Sequence, residues 1–235
     1  MSAWAFSDLH GNLKLFEQIK GYIKPEDTLY CLGDCGDRGP KPWETIKTIL
    51  RDPQVDYIKG NHDDMLIKAV REALDENGWR SENQRLLACN GGYDTLCEVM
   101  DEENPKMWIS ELAQKPTYTI YTNSQGQDIF LCHAGCSLWK DDDSVPTAYK
   151  LMWDRLHYFD NANLMRDDII ICHGHTPINH IALDLNLPFS EVKGALRYAD
   201  GKKYCIDAGT YRTGKAILFN LDTFESIVFN SNDYS

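Results

Sequence analysis

The stretch TLYCLGDCGDRGPKPWETIKTIL, residues 28–50, contains a strand, a loop and a helix in immediate succession. TLYCLG (28–33) is a short apolar run typical of a buried strand, and PWETIKTIL (42–50) has the periodicity of a helix that begins with proline. The loop between them, GDCGDRGP (33–40), holds two carboxylates and a guanidinium, more charge than a turn requires. A solvated polar turn is still one interpretation of this loop, so the rest of the chain must decide.

The same order of strand, polar loop and helix occurs on both sides of this stretch. AWAFS (3–7) precedes a helical pattern at 12–23, and DYIKG (56–60) precedes one at 65–74. Such alternation predicts parallel strands joined by right-handed crossovers. Ligands of such sheets bind at the carboxyl ends of the strands. The loops SDLHGN, GDCGDRGP and GNHDD are therefore expected to meet at one edge.

The second half of the chain predicts further strands after a helical segment. Residues 78–115 favour helix and are interpreted as a cap or insertion within a single domain spanning 1–235. QGQD and LDTF are typical hairpin turns, so the later strands are expected to form a second, partly antiparallel sheet. The predicted fold class is α/β, a layered β sandwich of mixed sheets flanked by helices. The later strands are predicted at 117–122, 127–133, 168–174, 203–209, 216–221 and 225–230.

Composition excludes several classes of protein. The 235 residues carry 24 Lys and Arg against 36 Asp and Glu, a net charge of −12, which argues against stable nucleic-acid binding. A bound metal can reverse the local field, so a phosphate-bearing substrate is still compatible with this charge. We find neither a run of about 20 apolar residues nor a signal-peptide pattern, so no membrane association is expected. Eight cysteines without a secretory signal favour a reducing compartment, and we predict a cytoplasmic protein. The oligomeric state is not predicted.

Side chains able to bind a metal follow the apolar strands in order. A lone histidine after a strand is more often structural, so the argument depends on the whole set. Asp8 and His10 lie two residues apart and can project to one side. One carboxylate, that of Asp34, can bridge two ions. Carboxylate, imidazole and amide oxygen together suit Mn²⁺, Fe or Zn²⁺. The set is Asp8, His10, Asp34, Asn61, His62, His133 and His175.

The motifs DLHGN, GDCGDRG, GNHDD, CHAG and GHTP resemble, in this order, the signature motifs of the calcineurin-like metallophosphoesterases. The unbroken GDxxDRG is similar to that of the phosphoprotein phosphatase branch, which includes bacterial and phage serine/threonine phosphatases. The resemblance covers residues 3–222 and supports the predicted sandwich. It implies phosphoester hydrolysis by in-line attack of a metal-bound hydroxide, without a covalent phosphoenzyme.

The resemblance also implies a ligand set for two divalent ions per chain. Mn²⁺ is the expected metal, with Fe, Zn²⁺ or Ni²⁺ as alternatives. Asp34 would bridge the two ions. By the family pattern the first ion would be held by Asp8, His10 and Asp34, and the second by Asp34, Asn61, His133 and His175.

Further roles are implied for residues next to the ligands. His62 would protonate the leaving group, and Asp37 would orient it through a hydrogen bond. Arg38 would bind two phosphate oxygens in a bidentate contact, which a guanidinium makes better than an ammonium. Arg155, in LMWDR, matches the second phosphate-binding arginine of the phosphatase branch.

Some polar residues fall outside this pattern. Pro177 stands where many related nucleases and phosphodiesterases have a second histidine, which favours monoester substrates. Arg212, in a loop near the predicted site, is assigned a structural role. His157 and His180 are predicted to lie on the surface, and His173 is left out of the ligand set.

These observations predict a phosphomonoesterase acting on phosphoserine and phosphothreonine in proteins, with phosphotyrosine as an open alternative. The alternative enzyme is a symmetrical dinucleoside tetraphosphatase, which cleaves diadenosine tetraphosphate to two ADP. Some tetraphosphatases of this kind lack the second aspartate of GDxxDRG, which Asp37 supplies here. A metal-binding scaffold without catalysis is a third interpretation, disfavoured by the intact His62, Asp37 and Arg38. The expected partner is a phosphorylated protein or a small phosphoester.

Overall fold

Two mixed β-sheets form the centre of the fold. The structure, a computed structural model, describes residues 1–75, 81–142 and 144–232. The strands are β1 (Ala3–Phe6), β2 (Thr28–Cys31), β3 (Val55–Tyr57), β4 (Tyr118–Thr122), β5 (Asp128–Cys132), β6 (Ile169–His173), β7 (Leu196–Tyr198), β8 (Lys203–Cys205), β9 (Lys215–Asn220) and β10 (Ser226–Asn230). The helices are α1 (Leu13–Tyr22), α2 (Pro42–Arg51), α3 (Asn61–Leu74), α4 (Glu82–Cys89), α5 (Tyr93–Met100), α6 (Pro105–Gln114), α7 (Ala148–Trp153), α8 (Ile178–Asp184) and α9 (Thr210–Thr213).

The first sheet has the strand order β10-β9-β1-β2-β3, and the second has the order β4-β5-β6-β8-β7. β1, β2 and β3 are parallel, and each is followed by a helix. In the second sheet β5, β6 and β8 are parallel, while β4 and β7 pair antiparallel at the edges. The prediction of an α/β fold with two mixed sheets flanked by helices is confirmed.

The last two strands belong to the first sheet. We grouped them with the second sheet because they follow its strands in sequence, but β9 pairs antiparallel with β1, and Trp4 lies opposite Asn220. β9 and β10 form the predicted hairpin, with Ser226 opposite Phe219. Pairing between strands more than 200 residues apart has no local sequence signal, which explains the error. The short edge strand β7 was not predicted.

Alternating side chains divide the apolar residues between the two faces of each sheet. Ala5 of β1 and Phe219 of β9 point into the space between the sheets, where they join Leu131 of β5. Their neighbours Phe6 and Leu218 point to the other face and pack in the cluster that includes α1, α2 and α3. The main core is therefore continuous from sheet to sheet, and it holds the carboxyl ends of both sets of parallel strands together.

Three further helices of the described chain follow α3 before β4 begins. α4, α5 and α6 pack against α3, and α5 also contacts α2. They fall within the predicted insertion at 78–115, of which residues 78–80 lie outside the described part of the chain. The division into one domain with an insertion stays a prediction. Within the described residues, no helix combines the length and apolar character needed to cross a bilayer.

α3 begins earlier than its periodicity predicts. We interpreted GNHDD as a loop and started the helix at residue 65, but Asn61 is already helical. Gly60 is extended at φ −101°, ψ −177°, and its N–H donates to the Asp63 carboxylate at 2.8 Å. This contact caps the helix. Asn61 and His62 are therefore held on the first turn of a long helix rather than on a loop.

Replacing Phe219 with alanine is expected to lower the free energy of unfolding by about 3–5 kcal/mol, the usual cost of an aromatic cavity in a core. The Phe219 side chain is fully buried and contacts the rings of Tyr204 and Phe224. Denaturant unfolding measures the change. Phe159→Ala is the matched control, because this ring is 56% exposed and its loss should cost under about 1 kcal/mol. Equal effects of the two variants would contradict the described core.

Candidate active site

The predicted metal-binding side chains come from both sheets. All lie at the carboxyl ends of parallel strands, and all are at least nine-tenths buried. Asp8 and His10 follow β1, Asp34 follows β2, and Asn61 and His62 open α3 after β3. From the second sheet, His133 follows β5 and His175 follows β6. The site is therefore formed where the ends of the two sheets face each other.

Backbone conformation sets these side chains apart from the rest of the chain. Non-glycine residues seldom adopt a left-handed φ, because the Cβ crowds the backbone. Six of the ten such residues in the described chain are residues that we predicted for the site. Conformations of this kind persist where the surrounding structure holds them in place. The six are Asp8 (φ 52°), His10 (44°), Asp34 (56°), Asp37 (64°), Arg38 (64°) and His175 (68°).

Asp34 is at the centre of the buried cluster. Its carboxylate lies 3.1 Å from His133 Nε2 and accepts the His62 backbone N–H at 2.9 Å. His133 Nε2 is also 3.0 Å from Asn61 Oδ1 and 3.2 Å from His175 Nδ1. Asp34 belongs to two groups of donor atoms in which all lie within 4.8 Å of one another. One group adds His133 and His175 to Asp34, and the other adds His10 and His62.

Electrostatics favour the charged form of the Asp34 carboxylate and the neutral forms of the His10 and His175 imidazoles. Burial opposes a charge on Asp34, but the attraction of the His133 and His62 side chains holds its pKa well below the usual value. Burial disfavours the charged form of His133 too, yet the Asp34 carboxylate outweighs it and raises the His133 pKa to about 9. Burial lowers the pKa of His10 to about 3 and that of His175 well below its usual value. Neutral imidazoles have a lone pair free for a metal.

Asp8 lies beside this cluster, and its donor atoms are not part of either group. One of its oxygens accepts the His175 backbone N–H at 3.0 Å. Burial is the main cause that raises the pKa of Asp8, and the Asp34 carboxylate adds to it. A Cβ on Gly174 would overlap the Asp8 carboxylate and Ser7, so glycine is needed for this approach.

The residues present fit a pair of divalent cations. Buried carboxylates and imidazoles form an oxygen and nitrogen donor set of the kind that Mn²⁺, Fe and Zn²⁺ accept. The carboxylates are those of Asp8 and Asp34, and the imidazoles are those of His10, His133 and His175. His175 Nε2 is buried and has no hydrogen-bond partner, as expected of an atom reserved for a ligand. A Cβ on Gly60 would fill space beside Asp34 and His133. Each of these observations is independent of the sequence motifs.

A second constellation joins this cluster to the surface. His62 Nδ1 donates to Asp37 at 2.5 Å, and the Thr95 hydroxyl donates to the other Asp37 oxygen at 2.5 Å. Arg38 donates to His62 Nε2 at 2.8 Å and to His10 Nε2 at 3.0 Å. The guanidinium therefore spans the cluster and the His62–Asp37 pair. An anion bound by Arg38 would lie next to the buried cluster and to the His62–Asp37 pair.

A cavity of about 210 Å³ opens beside Arg38. His10 and His175 form its inner wall, and Arg155 lines it from the segment after α7. Arg155 is exposed and donates to the Thr176 hydroxyl at 3.4 Å. The two arginines that we predicted for phosphate binding thus face one cavity.

Sequence reasoning missed two buried carboxyl groups near the cluster. Asp63 accepts from the Tyr57 hydroxyl at 2.9 Å, and burial raises its pKa to about 7. Asp207 lines the cavity, accepts the Gly209 N–H at 2.7 Å, and has a pKa raised well above its usual value by burial. Asp207 follows β8, so the strand-end pattern that predicted the metal ligands could also have found this residue.

The prediction for His157 was wrong. This ring is 2% exposed, and Lys203 donates to its carbonyl at 2.7 Å and lies 3.2 Å from its Nδ1. Its neighbours in sequence are polar or exposed, which concealed its burial. His180 is exposed, as predicted, at the rim of the cavity. His173 is buried beside Tyr198, whose hydroxyl oxygen lies 2.6 Å from His173 Nε2.

Comparison with protein families decides the identity of this arrangement. The model of the calcineurin-like phosphoesterase family matches residues 1–206. The chain belongs to this family. The phosphoesterase is thus a member of a family of metal-dependent hydrolases, and the coarser part of the sequence-based prediction is confirmed.

Relatives of this phosphoesterase have a common name. It is 23% identical to the symmetrical bis(5'-nucleosyl)-tetraphosphatase of Aromatoleum aromaticum, over 89% of this chain and 98% of that protein. It is 26% identical to the enzyme of the same name from Delftia acidovorans, over 57% of this chain and 44% of that protein. The chain therefore matches less than half the length of the second relative.

A solved structure has the same fold. The crystal structure of a protein described as a candidate diadenosine tetraphosphatase covers 97% of this chain and 92% of its own, with a TM-score of 0.64 and 15% identity. At this identity the likeness concerns the fold alone.

Binding of a divalent metal to the metal-free phosphoesterase should release a proton. Because the pKa of His133 is raised to about 9, its imidazole is protonated at pH 7 and must lose the proton to bind an ion. Mn²⁺ affinity should therefore rise with pH between about 6.5 and 8, by up to about tenfold per unit. Calorimetry in buffers of different ionisation enthalpy would count the released protons.

Asp34→Asn is the control for this experiment, because it removes the carboxylate that raises the His133 pKa. The variant should bind Mn²⁺ weakly and release fewer protons at pH 7. Wild-type binding without proton release would contradict the assigned state of His133.

Proposed function

We propose that this phosphoesterase hydrolyses dinucleoside tetraphosphates symmetrically, releasing two nucleoside diphosphates. The observation that carries the chemistry is the position of Arg38, whose guanidinium contacts His10 Nε2 and His62 Nε2 together. An anion-binding group, a candidate metal ligand and a carboxylate-paired imidazole thus converge on one point. The relatives' name supports the choice of substrate.

Six side chains would hold two divalent ions in the proposed site. Their shared features are burial, position just after a strand and an oxygen or nitrogen donor atom. When bound, such ions polarise a phosphoryl group and activate water. Asp34 would bridge, because it alone belongs to both groups of clustered donors. The six are Asp8, His10, Asp34, Asn61, His133 and His175.

His62 is the proposed general acid. Its Nδ1–H is fixed by Asp37, which in turn accepts from Thr95, so the ring has one orientation and Nε2 faces Arg38, a residue that lines the cavity. Nε2 accepts an N–H from Arg38 in this arrangement. Once Arg38 turns to a bound phosphate, Nε2 can carry a proton and pass it to the leaving oxygen. Asp37 is a positioning residue, since it acts through His62.

Arg38 and Arg155 are the proposed phosphate-binding residues. Both line the cavity, Arg38 from the loop after β2 and Arg155 from the segment after α7. Neither guanidinium lies within 4.0 Å of a carboxylate in the described residues, so both are available to an anion. Two such contacts orient a phosphoryl group for in-line attack.

A protein phosphatase acting on phosphoserine and phosphothreonine is the second candidate. The intact GDxxDRG favours it, because Asp37 supplies an aspartate that some tetraphosphatases lack. We place it second, since the curated relatives described above are tetraphosphatases. The chemistry proposed for His62, Arg38 and the ligand set is common to both candidates.

Leaving groups separate the two substrates physically. An alkoxide leaving from phosphoserine needs a proton, whereas a nucleoside diphosphate leaves as a weakly basic anion. A phosphoanhydride therefore depends less on the general acid. Incubation of the Mn²⁺-loaded protein with diadenosine tetraphosphate and, separately, a phosphothreonine peptide tests the proposal. Dominant ADP production is expected, and release of phosphate from the peptide with little ADP would favour the second candidate.

His62→Asn should lower kcat for phenyl phosphate by about 10²–10⁴-fold, the usual contribution of a general acid. The loss should be much smaller for p-nitrophenyl phosphate, a substrate of similar shape whose leaving group needs no proton. Steady-state kinetics on both substrates, with metal content measured by atomic emission, would test the role. Equal losses on the two substrates, or loss of metal, would argue against it.

A further inference from the structure

A short turn forms the outer wall of the active-site cavity. α9, Thr210–Thr213, lies between Gly209 at φ 68° and Gly214 at φ 65°, and both glycines adopt the left-handed conformation that favours this residue. The turn presents Tyr211 and Arg212 to the cavity. Tyr211 is 60% exposed, and Arg212 is exposed as well. Neither side chain contributes to the core.

Arg212 has no structural partner in the described residues. Its guanidinium makes no hydrogen bond, ion pair or contact with an aromatic face, although its backbone N–H donates to Gly209. The structural role that the sequence suggested for Arg212 has no contact to support it. Arg212 is exposed at the cavity wall with no partner among the described residues, so its guanidinium can bind a ligand there.

The charge of the cavity points to an anion larger than one phosphate. Arg38, Arg155 and Arg212 line the same space, and no carboxylate of the described residues lies within 4.0 Å of their guanidiniums. Asp207 also lines the cavity, but it is 3% exposed, and burial raises its pKa, which favours the neutral form. The first two arginines suffice for one phosphoryl group, so the third is in excess.

The size of the cavity places the rest of the ligand at its rim. About 210 Å³ is less than the 300 Å³ or more of a typical small-molecule site, so a dinucleotide cannot lie wholly inside. A nucleoside attached to the phosphates would pass over the outer wall. Tyr211 and His180 are exposed there, and Tyr211 has the larger aromatic face. Aromatic faces stack on nucleic-acid bases without regard to their identity.

We propose that Arg212 binds the phosphate next to the one attacked and that Tyr211 stacks on the base beyond it. The turn at residues 209–214 is then the element that distinguishes nucleoside polyphosphates from simple phosphomonoesters. This inference rests on the proposed function. The contacts are reversible, and no bond is made or broken by either residue.

Single variants on this turn test the proposal. Arg212→Ala should raise KM for diadenosine tetraphosphate about tenfold or more, with kcat little changed, because a charge-assisted contact is lost. Tyr211→Ala should have a similar effect, and Tyr211→Phe should restore wild-type KM because the stacking face is kept. All three variants should hydrolyse p-nitrophenyl phosphate within about twofold of wild type.

Matched controls exclude a general effect of charge or aromatic loss. Arg71 is exposed in the last turn of α3, remote from His62 on its first turn, and Tyr22 is 51% exposed in the last turn of α1. Arg71→Ala and Tyr22→Ala should leave KM for the dinucleotide unchanged. Wild-type KM in both Arg212→Ala and Tyr211→Ala would overturn the proposal.

Direct binding separates this inference from the proposed function. Calorimetry of the Mn²⁺-loaded wild-type and variant proteins would compare ADP with inorganic phosphate at the same free metal concentration. ADP binding should weaken about tenfold in Arg212→Ala, and phosphate binding should not. If wild type failed to cleave the dinucleotide, the proposed substrate would be wrong, and the ADP comparison would still decide the subsite. Equal ADP affinity in wild type and Arg212→Ala would refute it.

Discussion

The buried carboxylate of Asp34 constrains the rest of the structure. It is 2% exposed and lies where the loop after β2 meets the loop after β5, so it joins the two sheets at their functional edge. An unpaired charge in such a place is costly, and partners must surround it. His133 at 3.1 Å and the His62 N–H at 2.9 Å supply them, and Gly60 leaves the space that a Cβ would take. The glycines of the motifs and the early start of α3 both follow from this requirement.

Local sequence patterns were enough to predict the alternating strands and helices of the first part of the chain. The first three strands and their helices were recognisable from periodicity, and the strand-end rule brought Asp34, Asn61, His133 and His175 into one cluster. The rule works because parallel strands of a sheet end at the same edge. None of the predicted site residues follows β9 or β10, so the wrong placement of these two strands did not affect the cluster.

The remaining errors concern interactions between distant parts of the chain. The pairing of β9 with β1 depends on a register set by the whole core. The burial of His157 depends on Lys203, which lies 46 residues away and donates to it. GNHDD is not a loop, because the Asp63 side chain accepts the Gly60 N–H and caps α3. Arg212 lies in the turn after β8 and shares its cavity with Arg155, which comes from the segment after α7.

The left-handed backbone at the site affects what replacing the aspartates would cost. Glycine would relieve the left-handed conformation at Asp8 or Asp37 and would remove a buried carboxylate in the same step. At Asp37 the His62 and Thr95 donors would then lose their acceptor. At Asp8 the His175 N–H would lose its acceptor in the same way. A substitution that relaxes the backbone at either position therefore leaves buried donors unpaired.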